Sequence, residues 1–161
     1  MTLQHELGLP HSLRVRAHEA LLSLHYTAAL LRKRATIFFR QHQVTDVQFN
    51  VLMLLRYQAK EGGGLSQVDL SRMMLVNRAN ITTLIDRMEK AGLVKRTPAP
   101  ADRRSNIVRL TARGKGLVRR VEGAYIQEVS RIVGALDNDE LSKLVGMLER
   151  VRWSLTGRAR K

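Results

Sequence analysis

The sequence predicts a mainly α-helical protein interrupted by one short β-hairpin. Three observations predict it. Apolar residues recur at three- and four-residue steps along most of the chain, residues 13–40 contain neither proline nor glycine, and only residues 93–110 read as paired short strands. The first helix covers that uninterrupted stretch, with Ala17, Leu21, Leu24, Ala28 and Leu31 on one stripe. A second helix starts near Asp46, because Thr45 and Gln48 have the spacing of a capping box; Val47, Val51, Leu54 and Leu55 form its expected buried stripe. "EGGG" at 61–64 ends it, and Ser66 caps the short helix "QVDLSRMM".

A brief turn around Leu75 and Val76 leads to Asn77, which caps the helix "RANITTLIDRMEKA"; Gly92 fits the left-handed position just beyond its end. Two helices joined by a tight turn form the core of a helix-turn-helix. "LVKRTP" and "SNIVRL" then read as strands joined by the loop "APADRR". From Thr111 a helical run extends to Leu136, its start weakened by Gly114 and Gly116. After a turn near Asp137 a last helix places Leu141, Leu144, Leu148 and Val151 on one face. Fraying is expected at Met1 to Pro10 and in the C-terminal "TGRARK".

At 161 residues the chain is the size of one domain. Lys and Arg number 28 against 14 Asp and Glu, and a formal charge of +14 points to an anionic partner, nucleic acid or a membrane surface. No segment has the roughly 20 apolar residues that span a bilayer, and the N-terminus lacks a signal-peptide pattern, so a soluble, cytoplasmic protein with no membrane partner is expected. The absence of cysteine excludes disulfides, thiolate zinc sites and thiol redox sensing. All five histidines precede residue 43, which leaves no metal-site spacing in the later helices. No nucleophile motif, paired carboxylates or phosphate-binding glycine loop is found, so neither an enzyme nor a cofactor is expected.

On a helical wheel, Ile81, Leu84, Ile85 and Met88 face a core, while Ala79, Thr82, Thr83, Asp86 and Lys90 spread over the other side, and Arg78 and Asn80 flank its start. A face that is small and polar at its N-terminal end suits entry into a DNA major groove: Asn bonds adenine, Arg bonds guanine, and Thr meets a base or the thymine methyl. The candidate DNA contacts are Ser66 and Gln67 at the head of the preceding helix, then Asn77, Arg78, Ala79, Asn80, Thr82, Thr83 and Arg87. To these the hairpin adds Asp102, Arg103 and Arg104. Arginine at a hairpin tip gains from the negative potential of a narrow minor groove, and Asp102 is read as positioning Arg104. Arg109, Arg113 and Lys115, followed by Arg119 and Arg120, continue a basic track suited to phosphates.

The segments "LSQVDLSRMM", "NRANITTLIDRMEKAGLVKR" and "DRRSNIVRLTARG" resemble the MarR-type winged-helix transcription regulators. The last follows that family's wing pattern at Asp102, Arg104, Val108, Leu110, Thr111 and Gly114. The resemblance covers residues 65–114 and implies a winged helix-turn-helix with a short β-hairpin wing, plus N- and C-terminal dimerisation helices. It implies one domain over 1–161, with dimerisation helices at 11–42 and 115–157 and the DNA-binding region at 45–112. It also implies a homodimer on a pseudopalindromic site in double-stranded DNA, acting as a repressor that a small, often aromatic and anionic effector releases. The apolar stripes of the terminal helices agree with a dimer.

His11, His18 and His25 recur every seven residues and could form a stripe on the first helix. Arg16 with His18 and His25 is the candidate ligand-binding group for an effector carboxylate; a partly buried interface stripe or a solvated face is the plainer account. Two other function classes stay open. A sequence-insensitive architectural protein would use the same charge without operator discrimination, and a winged helix serving as a protein-interaction module would not need the charge.

Overall fold

The computed structural model describes residues 3–11, 13–59, 64–75, 77–99 and 102–157. The expected C-terminal fraying at "TGRARK" falls largely outside them. At the other end, where fraying was expected, the chain forms a short helix α1 (Leu3–Glu6) with Leu3 buried.

Helix α2 (Arg16–Gln41) is the long first helix, and α3 (Asp46–Tyr57) follows with the expected capping box: the Gln48 N–H donates to Thr45 Oγ1 and the Thr45 N–H to Gln48 Oε1. The buried face of α3 differs from the expected stripe. Phe49, Val51, Leu52 and Leu55 are buried, whereas Val47 is exposed and Leu54 half-buried. Phe39 near the end of α2 is buried with this face, its ring 5.0 Å from that of Phe49.

Strand β1 (Leu65–Ser66) runs into α4 (Gln67–Met74), and α5 (Arg78–Lys90) follows the turn. The hairpin is β2 (Val94–Ala99) and β3 (Asp102–Leu110). The sheet order is β1-β3-β2, all antiparallel, with Leu65 opposite Val108 and Arg96 opposite Val108 from the other side. The two-residue β1 was not expected; it is too short to show periodicity and exists only because β3 offers it an edge. The six-residue loop expected at "APADRR" is shorter, since Ala99 and Asp102 already pair. The register shifts after the Pro98–Asn106 pair, which leaves Arg103, Arg104 and Ser105 between paired positions of β3 as a bulge.

Helix α6 (Ala112–Ile132) and α7 (Asn138–Thr156) complete the chain. Two compact units can be distinguished, residues 1–115 and 116–161. The first is organised round Phe49, Leu52, Leu70, Ile81, Ile85, Met88, Val94 and Val108, each at most 1% exposed. In the second, Val118 and Val121 are fully buried and Glu128 is nearly so, held by Arg131 at 3.2 Å. α7 begins with a capping box between Asp137 and Glu140 and has no buried residue of its own. Its expected apolar face is thus only half covered: Leu141 and Leu148 are half-buried, while Leu144 and Val151 are exposed.

Candidate nucleic-acid interface

The interface is built from the helix caps outward. Ser66 Oγ accepts the Asp69 N–H at 3.0 Å and donates to Asp69 Oδ2 at 2.8 Å, and Asp69 in turn holds Arg72 at 2.7 Å. The chain then turns through Leu75 in the left-handed region. Asn77 opens α5 by accepting the Asn80 N–H on its side-chain oxygen at 2.8 Å. The side chains of Ser66 and Asn77 are thereby committed to capping. Gln67 is half-buried, and its Oε1 has no hydrogen-bond partner among the described residues.

α5 divides as its sequence pattern indicates. Ile81, Ile85 and Met88 are fully buried and Leu84 half-buried, while Ala79, Asn80, Thr82, Thr83 and Arg87 are exposed. Thr83 donates back to the Ala79 carbonyl at 3.1 Å. The backbone of Arg78 begins α5, but its side chain lies outside what the structure describes, as do those of Asp102, Arg103 and Arg104. The positioning role assigned to Asp102 therefore rests on the sequence.

Sequence reasoning missed the residue that ties the recognition helix to the wing. Arg96 on β2 reaches Asp86 at 2.6 Å and Glu89 at 2.5 Å on α5, and its backbone N–H donates to the same Glu89 carboxylate at 2.7 Å. Burial works against the Arg96 charge, but the hydrogen bonds and attraction of the two carboxylates outweigh it and hold its pKa above the usual arginine value. The sequence shows only two acids three residues apart on an otherwise basic helix, followed by Lys95 and Arg96 at the start of the wing, and nothing in it pairs them.

A second latch closes the base of the wing. Thr111 Oγ1 lies 2.6 Å from the Gly92 carbonyl and 3.1 Å from that of Leu93, to which it can donate, and accepts the Gly114 N–H at 3.0 Å. A Cβ at Gly114 would sit on the Leu93 carbonyl oxygen. The Thr111 and Gly114 of the wing pattern are thus structural: they fasten the residues at the start of α6 to Gly92 and Leu93, just beyond α5, and Gly114, expected only to weaken the start of the helical run, permits their close approach.

Of the basic track, Arg113, Lys115, Arg119 and Arg120 are exposed, while Arg109 is half-buried and donates across the hairpin to Thr97 at 3.0 Å. On α2, Arg16 pairs with Glu19 at 2.9 Å, and His18 and His25 are exposed. His11 precedes the helix, which shortens the three-histidine stripe to two members. None of these lines the cleft of about 530 Å³ between Thr36 and Gln48, or the one of about 440 Å³ between Asn50 and Met74. Among the described residues no helix is long and apolar enough to cross a membrane.

A short helix, a turn, a helix with an exposed small polar face and a latched β-hairpin define a winged helix-turn-helix. A model of the MarR family matches residues 42–105. The transcriptional repressor NicR of Pseudomonas putida is 32% identical over 129 residues, covering 76% of this chain and 79% of its own. Among solved structures, AbsC, a MarR family regulator from Streptomyces coelicolor, superposes with a TM-score of 0.80 at 23% identity, over 91% of this chain and 99% of its own. Sco3205 from the same organism, in complex with DNA, gives 0.77 at 22% identity over 91% and 92%. The chain belongs to the MarR family of DNA-binding transcriptional regulators, and it is a regulator rather than an enzyme.

Proposed function

We propose that the chain acts as a homodimer which reads a pseudopalindromic operator with one winged helix per protomer, and represses transcription until a small anionic, aromatic ligand releases it. The observation that carries this reading is the outer face of α5: Ala79, Asn80, Thr82, Thr83 and Arg87 are all exposed, opposite an inner face on which Ile81, Ile85 and Met88 are fully buried. Such a helix suits a major groove about 12 Å wide. Arg78, Asn80, Thr82, Thr83 and Arg87 take base edges, and Ala79 allows close approach. Ser66, Gln67 and Asn77 stand at helix N-termini, whose backbone N–H groups suit phosphate. Arg103 and Arg104, with Asp102, enter the minor groove from the wing, while Arg109, Arg113 and Lys115 meet phosphates.

Dimerisation through 11–42 and 115–157, about the DNA-binding region 45–112, is supported by apolar surface left open in one chain. Leu21, Leu30, Leu31 and Ile37 on α2, and Val145, Met147 and Trp153 on α7, are exposed, and apolar surface on this scale marks an interaction site. Arg16, His18 and His25 are exposed on α2 and are proposed to hold the effector carboxylate in the assembled dimer. Release then requires that the effector bind the DNA-incompetent arrangement better than the competent one. Repression is supported by the likeness to NicR, a named repressor.

Selection of bound fragments from a genomic library, followed by fluorescence anisotropy at about 0.15 M salt against a scrambled duplex, tests the reading. A preference of about 10³-fold or more is expected. Equal affinity for both duplexes would overturn it in favour of a sequence-insensitive architectural protein, the second reading that the +14 charge supports.

A further inference from the structure

Leu75 closes α4 with φ 54 and ψ 39, its N–H shared between the carbonyls of Arg72 and Ser71. For a residue with a Cβ this left-handed conformation is disfavoured by crowding against the following carbonyl, and glycine or asparagine is its usual occupant. Burial offsets none of that cost, because Leu75 is 92% exposed. Gln43, the other described non-glycine residue with positive φ, is polar, so its exposure carries no such penalty. A branched apolar side chain therefore stands in water on a strained backbone, two residues before the cap of α5.

We propose that Leu75 is a DNA-contacting residue whose side chain packs on apolar surface at the edge of the groove that α5 enters. The inference rests on the DNA-binding reading above. It follows from position and chemistry. Leu75 stands two residues before the cap of α5, at the end of that helix that carries the base-reading residues, which puts it next to the groove in the proposed complex. The apolar surfaces of a duplex within reach are the thymine methyl in the major groove and the faces of the deoxyribose rings. The neighbours on the recognition-helix side, Asn77 and Asn80, are exposed and polar, which fits a duplex edge rather than an apolar protein surface.

Full-length Leu75→Gly and Leu75→Asn, both compatible with the left-handed turn, test this on the duplex recovered by selection and on the same duplex with thymine replaced by uracil. Both variants are expected to unfold about 2 °C higher than wild type, because the strain is relieved. Both are expected to bind the selected duplex about tenfold more weakly, the effect of one buried apolar side chain. The opposite signs separate contact from architecture. If the thymine methyl is the partner, uracil weakens wild type more than the variants, which keep only the methyl contacts of Thr82 and Thr83; if deoxyribose is, uracil affects all three alike. Wild-type affinity in both variants would overturn the inference, and so would lowered stability accompanied by weaker binding, which would assign Leu75 to the fold. A wild-type protein without preference for any duplex would instead overturn the DNA reading on which the inference rests.

Discussion

Arg96 contributes to this winged helix in a way that its sequence neighbourhood does not announce. Its side chain, 21% exposed, bridges Asp86 and Glu89 and so couples the angle of the recognition helix to the wing. Arg96→Ala is expected to lower stability by about 1–3 kcal/mol, since charged hydrogen bonds in a half-buried setting are lost; urea unfolding measures it. Gly114 is the sharper test of the latch. Because a Cβ there meets backbone rather than a flexible side chain, Gly114→Ala is expected to cost about 2 kcal/mol or more, read in the same experiment. At this scale the caps were legible, because Thr45, Ser66 and Asn77 act within three residues of themselves. Arg96 and Thr111 were not, because the carboxylates that Arg96 binds and the carbonyls that Thr111 meets lie 7 to 19 residues away and become neighbours only after folding.

Among the elements, α5 and the wing carry different parts of recognition. Arg104→Ala is expected to weaken operator binding by about 1–3 kcal/mol while leaving binding to random DNA nearly unchanged. Arg113→Ala and Lys115→Ala should instead weaken both alike and flatten the salt dependence, as loss of phosphate contacts does; anisotropy titrations at several salt concentrations separate the two classes. The helices themselves were readable from periodicity and caps, with α4 matching its expected bounds. The buried face of α3 was not, since Val47 and Phe49 are both apolar and only packing against Phe39 selects between them. Strand β1 and the bulge at 103–105 were likewise invisible, because both are defined by pairing to a distant strand.

For the whole molecule the open question is what covers α7. A helix of 19 residues with no buried side chain, exposing Val145, Met147 and Trp153, is costly to leave in water. Sedimentation equilibrium at micromolar concentration is expected to give a dimer, and Val145→Glu with Met147→Glu is expected to shift it to monomer and abolish operator binding. A monomeric wild type would refute the two-half-site arrangement.

The chain's own residues determined the order of helices, their caps, the basic character and a helix-turn-helix followed by a hairpin. Each of these follows from periodicity, local hydrogen bonding or composition, which act over a few residues or none; the MarR-type wing was recognised instead by its resemblance to that family's motif. The tertiary structure decided which apolar faces are covered, how Arg96 and the Thr111 latch bind the wing to the recognition helix, and that Leu75 stands exposed on a left-handed turn. Those depend on distances between groups far apart in the chain, and such distances exist only once the loop entropy between them has been spent.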